Sequence, residues 1–222
     1  MMSFWKKPCI VVLFILIVPL ASATVTDARV VLVTGFKPFG SYTVNPSQLI
    51  AESLNGSTMY GADVIGVVLP VDFNRSVEEA IQTIEHTHPD LVVCLGLDAR
   101  AKAIEVEKIG MNLKRYQKND GSWSFPQRIN TNGPFLRITT LPTREITRSI
   151  RDAGIPAKQS FFAGLYICNA LYYGLLGYTV NQMLNTTVVF IHVPFLDSQD
   201  PQGLPLETLI DAVKIAIQIS LQ

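Results

Sequence analysis

The sequence predicts an α/β protein: a three-layer α/β/α sandwich around a mixed central sheet that is mainly parallel. The first reason is that runs such as ARVVLVTGF (28–36) and DLVVCLGL (90–97) are apolar without interruption, which is typical of strands buried on both faces. The second is that these runs alternate with amphipathic stretches, a pattern that favours parallel strands covered by helices. The chain has 222 residues, 48% of them hydrophobic, so we expect one core and a single domain over 24–222.

The strands can be placed in order from their composition. Strands are predicted at 28–36, 64–71, 90–97, 101–113 and 186–193, with a further short strand in LRITTLP (136–142). Within 101–113, Ile104 and Val106 alternate with Glu105 and Glu107, so the two glutamates face the same way. Residues 114–136 are polar and form the longest irregular stretch.

The helices follow from apolar spacing and from their end signals. They are predicted to begin near Pro46, to fill the stretch before Pro89, to end at Gly154, to run from about 164 to 176, and to start again at Pro205. In folds of this class, functional residues collect in the loops that leave the carboxyl ends of the strands. The loops TGFKPFG, GLDAR and IHVPF occupy such positions.

The N-terminus has the three parts of a secretory signal peptide. MMSFWKK is positively charged, PCIVVLFILIVPL is apolar but short for a membrane span, and ASA ends at Ala23 as a small-residue cleavage site. We therefore expect a signal peptide over 1–23, a secreted or secretory-lumen protein, and no stable membrane insertion after cleavage. An uncleaved signal anchor is the alternative interpretation.

Charge and motif content exclude several classes of protein. The net charge at pH 7 is zero, so the chain has no basic footprint for nucleic acid. Three histidines are too few to favour a metal site, and the phosphate- and dinucleotide-binding glycine motifs are absent from the sequence. We expect neither a metal nor a cofactor.

The cysteines allow two interpretations. Cys9 lies in the predicted signal, which leaves Cys94 and Cys168 in the mature chain. In an oxidising compartment the two could form a disulfide. Cys94, however, lies in a run suited to a central buried strand, where a reduced cysteine is common, so we favour two free thiols.

Three residues could carry nucleophilic chemistry. Cys168 lies near a predicted helix N-terminus, which favours a thiolate, and His192 ends an apolar strand, where an unpartnered imidazole is costly to bury. Glu107, from a neighbouring strand end, could orient that imidazole. From spacing alone, Cys168 and His192 could equally be an ordinary core cysteine and a core histidine.

Four stretches resemble the pyroglutamyl-peptidase I (pyrrolidone-carboxyl peptidase) family of cysteine peptidases. They are TGFKPFG…VNPS (34–47), VEKIGMN (106–112), AGLYICNALYYG (163–174) and FIHVPFLDSQ (190–199). The resemblance implies that Cys168 is the nucleophile, His192 the general base and then acid, and Glu107 the residue that orients His192. Glu105 does not sit at the family's glutamate position, so we treat it as a surface or edge residue.

By the same resemblance, the substrates are peptides with N-terminal pyroglutamate. The neutral lactam would enter an apolar pocket formed by Phe36, Phe39, Tyr166 and Ile167. The sequence departs from the family's pattern at GLDAR, and either Lys114 or Arg115 could fill the position of the family's arginine. A related cysteine amidase, or an inactive secreted binding protein on the same fold, are the alternative functions. The protein could be a monomer or a homo-oligomer.

Overall fold

The computed structural model describes residues 1–3, 28–118 and 120–222. The predicted signal peptide at 1–23 lies almost entirely outside the described residues, so it stays a prediction. Among the described residues, no helix has both the length and the apolar content needed to cross a membrane.

Nine strands and five helices make up the described part of the chain. The strands are β1 (Arg29–Phe36), β2 (Thr58–Met59), β3 (Ala62–Leu69), β4 (Leu91–Leu97), β5 (Ile104–Glu107), β6 (Ile109–Met111), β7 (Leu136–Ile138), β8 (Ala157–Ser160) and β9 (Thr187–Val193). The helices are α1 (Pro46–Leu54), α2 (Arg75–Thr87), α3 (Thr143–Asp152), α4 (Ile167–Asn181) and α5 (Leu206–Ser220).

The central sheet has seven strands in the order β2-β3-β1-β4-β9-β5-β8. β3, β1, β4 and β9 are parallel to one another, because helical crossovers return the chain to the same edge between them. β6 and β7 form a separate two-stranded sheet. The predicted mixed, mainly parallel α/β fold is confirmed.

Helices cover both faces of the sheet, as three layers require. One core joins the sheet to α1, α3 and α5, with Val31, Val93 and Ile191 among its buried residues. The other core joins it to α2 and α4, with Leu32, Cys94 and Phe190. Successive residues of β1 and β4 therefore enter opposite cores, which explains why these strands lack polar alternation.

The strand containing the two glutamates runs against its neighbour. β5 pairs antiparallel with β9, in the register Glu105↔His192 and Glu107↔Phe190, and parallel with β8. Glu105 is thus on an interior strand, where it is buried and pairs with Lys158 at 2.9 Å between Oε1 and Nζ. Its assignment as a surface or edge residue is wrong, because β8 (AKQS), which the sequence pattern did not reveal, covers that side.

Candidate active site

The nucleophile candidate lies in the first turn of α4. The helix begins at Ile167, three residues later than the sequence indicated, and extends to Asn181 instead of about 176. Cys168 is its second residue, and the side chain of the preceding Tyr166 forms no capping hydrogen bond. The N–H groups of this turn are therefore not consumed by a side-chain cap, and with the helix dipole they favour an anion at this point.

Gly96 of β4 leaves the space that the Cys168 sulfur occupies. A Cβ atom added at Gly96 would lie 2.8 Å from Cys168 Sγ and 2.9 Å from Cζ of Phe190. Contacts that short are repulsive, so a residue without a side chain is needed where the helix start meets the sheet. Gly96 is also the register partner of His192 on β9, which places the sulfur over the part of the sheet that holds the histidine.

His192 lies between Cys168 and Glu107. Its Nδ1 is 2.9 Å from Glu107 Oε1, and Cys168 and His192 line the same pocket. Burial disfavours the charged ring, but the interactions with Cys168 and Glu107 outweigh that cost and raise the pKa of His192 to about 10. The arrangement thus favours an imidazolium with a carboxylate on one side and the sulfur on the other.

Glu107 reaches His192 along a diagonal of the antiparallel pair. Because β5 runs against β9, Glu107 lies level with Phe190, two residues deeper in the sheet than His192. Diagonal neighbours of this kind are within reach of long side chains. Glu107 is the last residue of β5, as the sequence predicted, and it is fully buried because that end of β5 lies level with the middle of β9.

Two side chains of α4 bind the polypeptide around Glu107. Tyr172 Oη donates to the backbone oxygen of Glu107 at 3.0 Å. Asn169 Nδ2 donates to the oxygens of Met111 and Leu113, each at 2.8 Å, and its Oδ1 accepts from the Met111 N–H at 2.8 Å. The helix that contains Cys168 is therefore hydrogen-bonded directly to the segment that contains Glu107.

An apolar pocket of about 250 Å³ opens beside Cys168 and His192. The four residues predicted for substrate binding all line it: Phe36, Phe39, Tyr166 and Ile167. Phe36 and Ile167 are each 3% exposed and form the closed end, whereas Tyr166 is 39% exposed and stands at the opening. The structure therefore brings all seven sequence-predicted site residues to one place.

The loop after β1 has a specific internal structure that holds this pocket open. Ser47 Oγ accepts from the Phe36 N–H at 3.1 Å, and Asn45 Nδ2 donates to the Lys37 oxygen at 3.1 Å. Gly35 is needed because a Cβ there would lie 2.0 Å from the Ser47 backbone oxygen. The stretch TGFKPFG…NPS thus folds back on itself and presents Phe36 and Phe39.

Sequence reasoning missed several residues of the pocket lining. Tyr42, Asn45, Val71, Asp98 and Phe162 also line it. The pairing of Asn45 with Ser47 in the NPS stretch is a recognisable helix N-cap signal; the others are brought in by loops whose paths no periodicity encodes. Asp98 forms an ion pair with Arg100, 3.4 Å between Oδ1 and Nε. Hydrogen bonding and the charges of His192 and Arg100 outweigh partial burial and lower the pKa of Asp98.

Cys94 and Cys168 are both free, so the alternative of a disulfide between them is not realised in the structure. Cys94 is fully buried in the core under α4, and burial raises the pKa of its thiol to about 12. Cys94 therefore fits the role of a core packing residue and not that of a nucleophile. Among the described residues, no group of three or more His, Cys, Asp or Glu side chains is arranged to hold a metal ion.

A cysteine at a helix start, a histidine beside it and a carboxylate behind that histidine are typical of cysteine hydrolases. Comparison with known proteins narrows this class. The family model described as pyroglutamyl peptidase matches residues 29–222. The chain belongs to the pyroglutamyl peptidase family.

Individual relatives agree with the family match. The pyrrolidone-carboxylate peptidase of Coprothermobacter proteolyticus is 34% identical over 197 residues, covering 85% of this chain and 95% of that protein. The one of Pyrococcus furiosus is 35% identical over 203 residues, covering 86% and 98%. The solved structure of the pyrrolidone carboxyl peptidase from Thermococcus litoralis superposes with a TM-score of 0.81 at 34% identity, covering 87% of this chain and 93% of that one.

Proposed function

We propose that this protein removes N-terminal pyroglutamate from peptides by a Cys168–His192–Glu107 triad. The observation that carries the proposal is the position of His192: its Nδ1 is 2.9 Å from a fully buried carboxylate, and its ring lies beside the Cys168 sulfur at an apolar pocket. The imidazole therefore connects the proposed nucleophile with a carboxylate.

The groups present supply each step of an acyl transfer. The Cys168 thiolate attacks the carbonyl carbon of pyroglutamate, and the N–H groups at the start of α4 stabilise the oxyanion. The C–N bond breaks as the His192 imidazolium protonates the departing amine. Neutral His192 then takes a proton from water as the water oxygen attacks the thioester carbon. The C–S bond breaks, which releases pyroglutamic acid and restores the Cys168 thiolate beside the His192 imidazolium.

The pocket suits a neutral ring better than an ordinary N-terminus. A free ammonium would lose its hydration against Phe36 and Ile167, which form the buried end. Among the described residues that line the pocket, Asp98 is the one carboxylate, and it is already paired with Arg100. Pyroglutamate carries no charge, so its lactam can enter with its amide groups bonded to the surrounding backbone.

We further propose that the mature chain begins after Ala23 and acts in the secretory pathway or outside the cell. The sequence features of a signal over 1–23 support this compartment. N-terminal sequencing of the protein secreted by a eukaryotic host should give a chain that starts close to Thr24. Retention of the first 23 residues would contradict the proposal.

The test of the triad is hydrolysis of a pyroglutamyl-amide reporter by the purified mature protein, with and without reductant. Cys168→Ser should lower kcat/KM by about 10⁴-fold or more, because a weakly acidic hydroxyl replaces the thiolate nucleophile. Cys94→Ser is the matched control and should retain activity, since Cys94 packs in the core. Equal turnover by the wild type and Cys168→Ser would overturn the assignment. No turnover of pyroglutamyl amides, with other amides cleaved, would favour a related amidase.

A further inference from the structure

The opening of the pocket is surrounded by exposed aromatic side chains that the proposed chemistry does not use. Pyroglutamate would occupy the closed end, so the rest of a peptide has to leave past the exposed lining residues, which include the aromatic Tyr166 and Phe162. The aromatic surface continues beyond Tyr166. Its ring packs edge-on against Phe73 on one side, at 5.2 Å between centroids, and against Trp123 on the other, at 5.7 Å.

Trp123 belongs to the stretch that the sequence predicted to be irregular. Residues 114–118 and 122–127 face each other as a hairpin, through the bridges Lys114↔Gln127 and Gln117↔Trp123. Arg115 attaches this hairpin to the pocket: its N–H donates to the Leu165 oxygen at 2.6 Å, one residue before Tyr166. The hairpin is therefore docked against the start of the helix that carries Cys168.

The indole of Trp123 is fixed in position although it is 48% exposed. Arg115 Nε donates to the Ser124 oxygen at 2.9 Å, and its guanidinium lies over the indole at 5.9 Å. The Tyr166 ring supports the indole from the side. An exposed aromatic ring that is already held by its neighbours binds a partner without a further ordering cost, which is how aromatic anchors act in binding sites.

From these contacts we propose that Trp123 and Tyr166 form a subsite for an aromatic or large apolar side chain at the second or third residue of the pyroglutamyl peptide. An extended chain advances roughly 3.4 Å per residue, so the 5.7 Å from the Tyr166 ring at the opening to the Trp123 ring corresponds to a little under two residues of peptide. This inference rests on the proposed function, and it adds the substrate preference of the same site.

The test compares three peptides: pyroglutamyl-Ala-Ala, pyroglutamyl-Phe-Ala and pyroglutamyl-Ala-Phe. Release of the free amine is followed with an amine-reactive fluorophore, and kcat and KM are determined separately. The wild type should prefer at least one Phe peptide over the Ala peptide, on the order of fivefold to tenfold, mainly through KM. Trp123→Ala should reduce that ratio to near one, and Trp123→Phe should restore most of it.

Phe125→Ala is the matched control. Phe125 is in the same hairpin and is 87% exposed, so its loss should leave the preference at the wild-type value. Thermal melting of each variant separates a local effect from unfolding. A wild type that cleaves all three peptides equally, or a Trp123→Ala variant that keeps the preference, would overturn the subsite while leaving the proposed function intact. Failure to cleave any of the three would instead overturn both.

A second copy of the chain is the competing occupant of this surface. If the surface were an oligomer contact, Trp123→Ala would change the molecular mass measured by sedimentation. That result, with an unchanged peptide preference, would also count against the subsite.

Discussion

The two halves of the central sheet contribute to the site in different ways. In the parallel half, β4 and β9 end at one edge, and Gly96, His192 and the start of α4 meet there beside the pocket. In the reversed half, β5 runs the other way and holds Glu107 inside the sheet, fully buried. A substrate can therefore touch the groups at the edge, and in the proposed mechanism Glu107 acts only through His192.

Replacing Glu107 should have the largest effect on activity, and it tests whether the buried carboxylate acts through His192. Glu107→Gln should lower kcat by about 10²- to 10⁴-fold, because the imidazole loses both its orientation and the anion that stabilises its charged form. Steady-state kinetics with a pyroglutamyl reporter measure the effect. Glu105→Gln is the matched control on the same strand: its partner is Lys158, so activity should stay within severalfold of the wild type. Similar losses in the two variants would contradict the division.

A substitution at the edge should have the next largest effect. Gly96→Ala places a methyl group 2.8 Å from the unshifted Cys168 Sγ, so the sulfur has to move away from its position. A displacement of a reacting atom by about 1 Å costs roughly 10- to 100-fold in rate. Activity and the rate of Cys168 alkylation by iodoacetamide should fall together in the folded variant. Full activity of Gly96→Ala would show that activity does not depend on this position of the Cys168 sulfur.

The pH dependence of kcat/KM tests the contribution of Glu107 without any change to Cys168 or His192. The His192 pKa is raised to about 10, so the imidazolium that protonates the leaving amine persists below that pH and is lost as the pH rises through it. The alkaline limb of kcat/KM should therefore lie near pH 10 in the wild type. Glu107→Gln removes an anion that favours the charged ring, so the limb should move to lower pH. A limb at the same pH in both proteins would contradict the role of Glu107.

The smallest effect is expected at the connection between the halves. Tyr172→Phe removes the buried hydrogen bond from Oη to the Glu107 oxygen, which should lower the free energy of unfolding by about 1 kcal/mol. Chemical denaturation measures this change. Tyr178→Phe, on the same helix, loses only an exposed bond to Glu85 and should cost less. The reverse order would count against this connection.

The contrast also explains what the sequence could predict. β1, β4 and β9 are recognisable because burial on both faces requires uninterrupted apolar residues, and their shared direction places Cys168 and His192 at one edge. Alternation identified β5 but carries no information on strand direction, so the depth of Glu107 was not predictable. The β8 sequence AKQS has no apolar pattern at all, and the position of Trp123 depends on contacts of Arg115 that are remote in sequence.

The bonds of Asn169 have a consequence for how the protein can be observed. The amide of Met111 donates to Asn169 Oδ1, on the helix that carries Cys168, at 2.8 Å. Its exchange with deuterated solvent should therefore require the start of α4 to separate from β6. This single backbone position would act as a built-in sensor of whether the nucleophile is docked, readable by NMR without substrate.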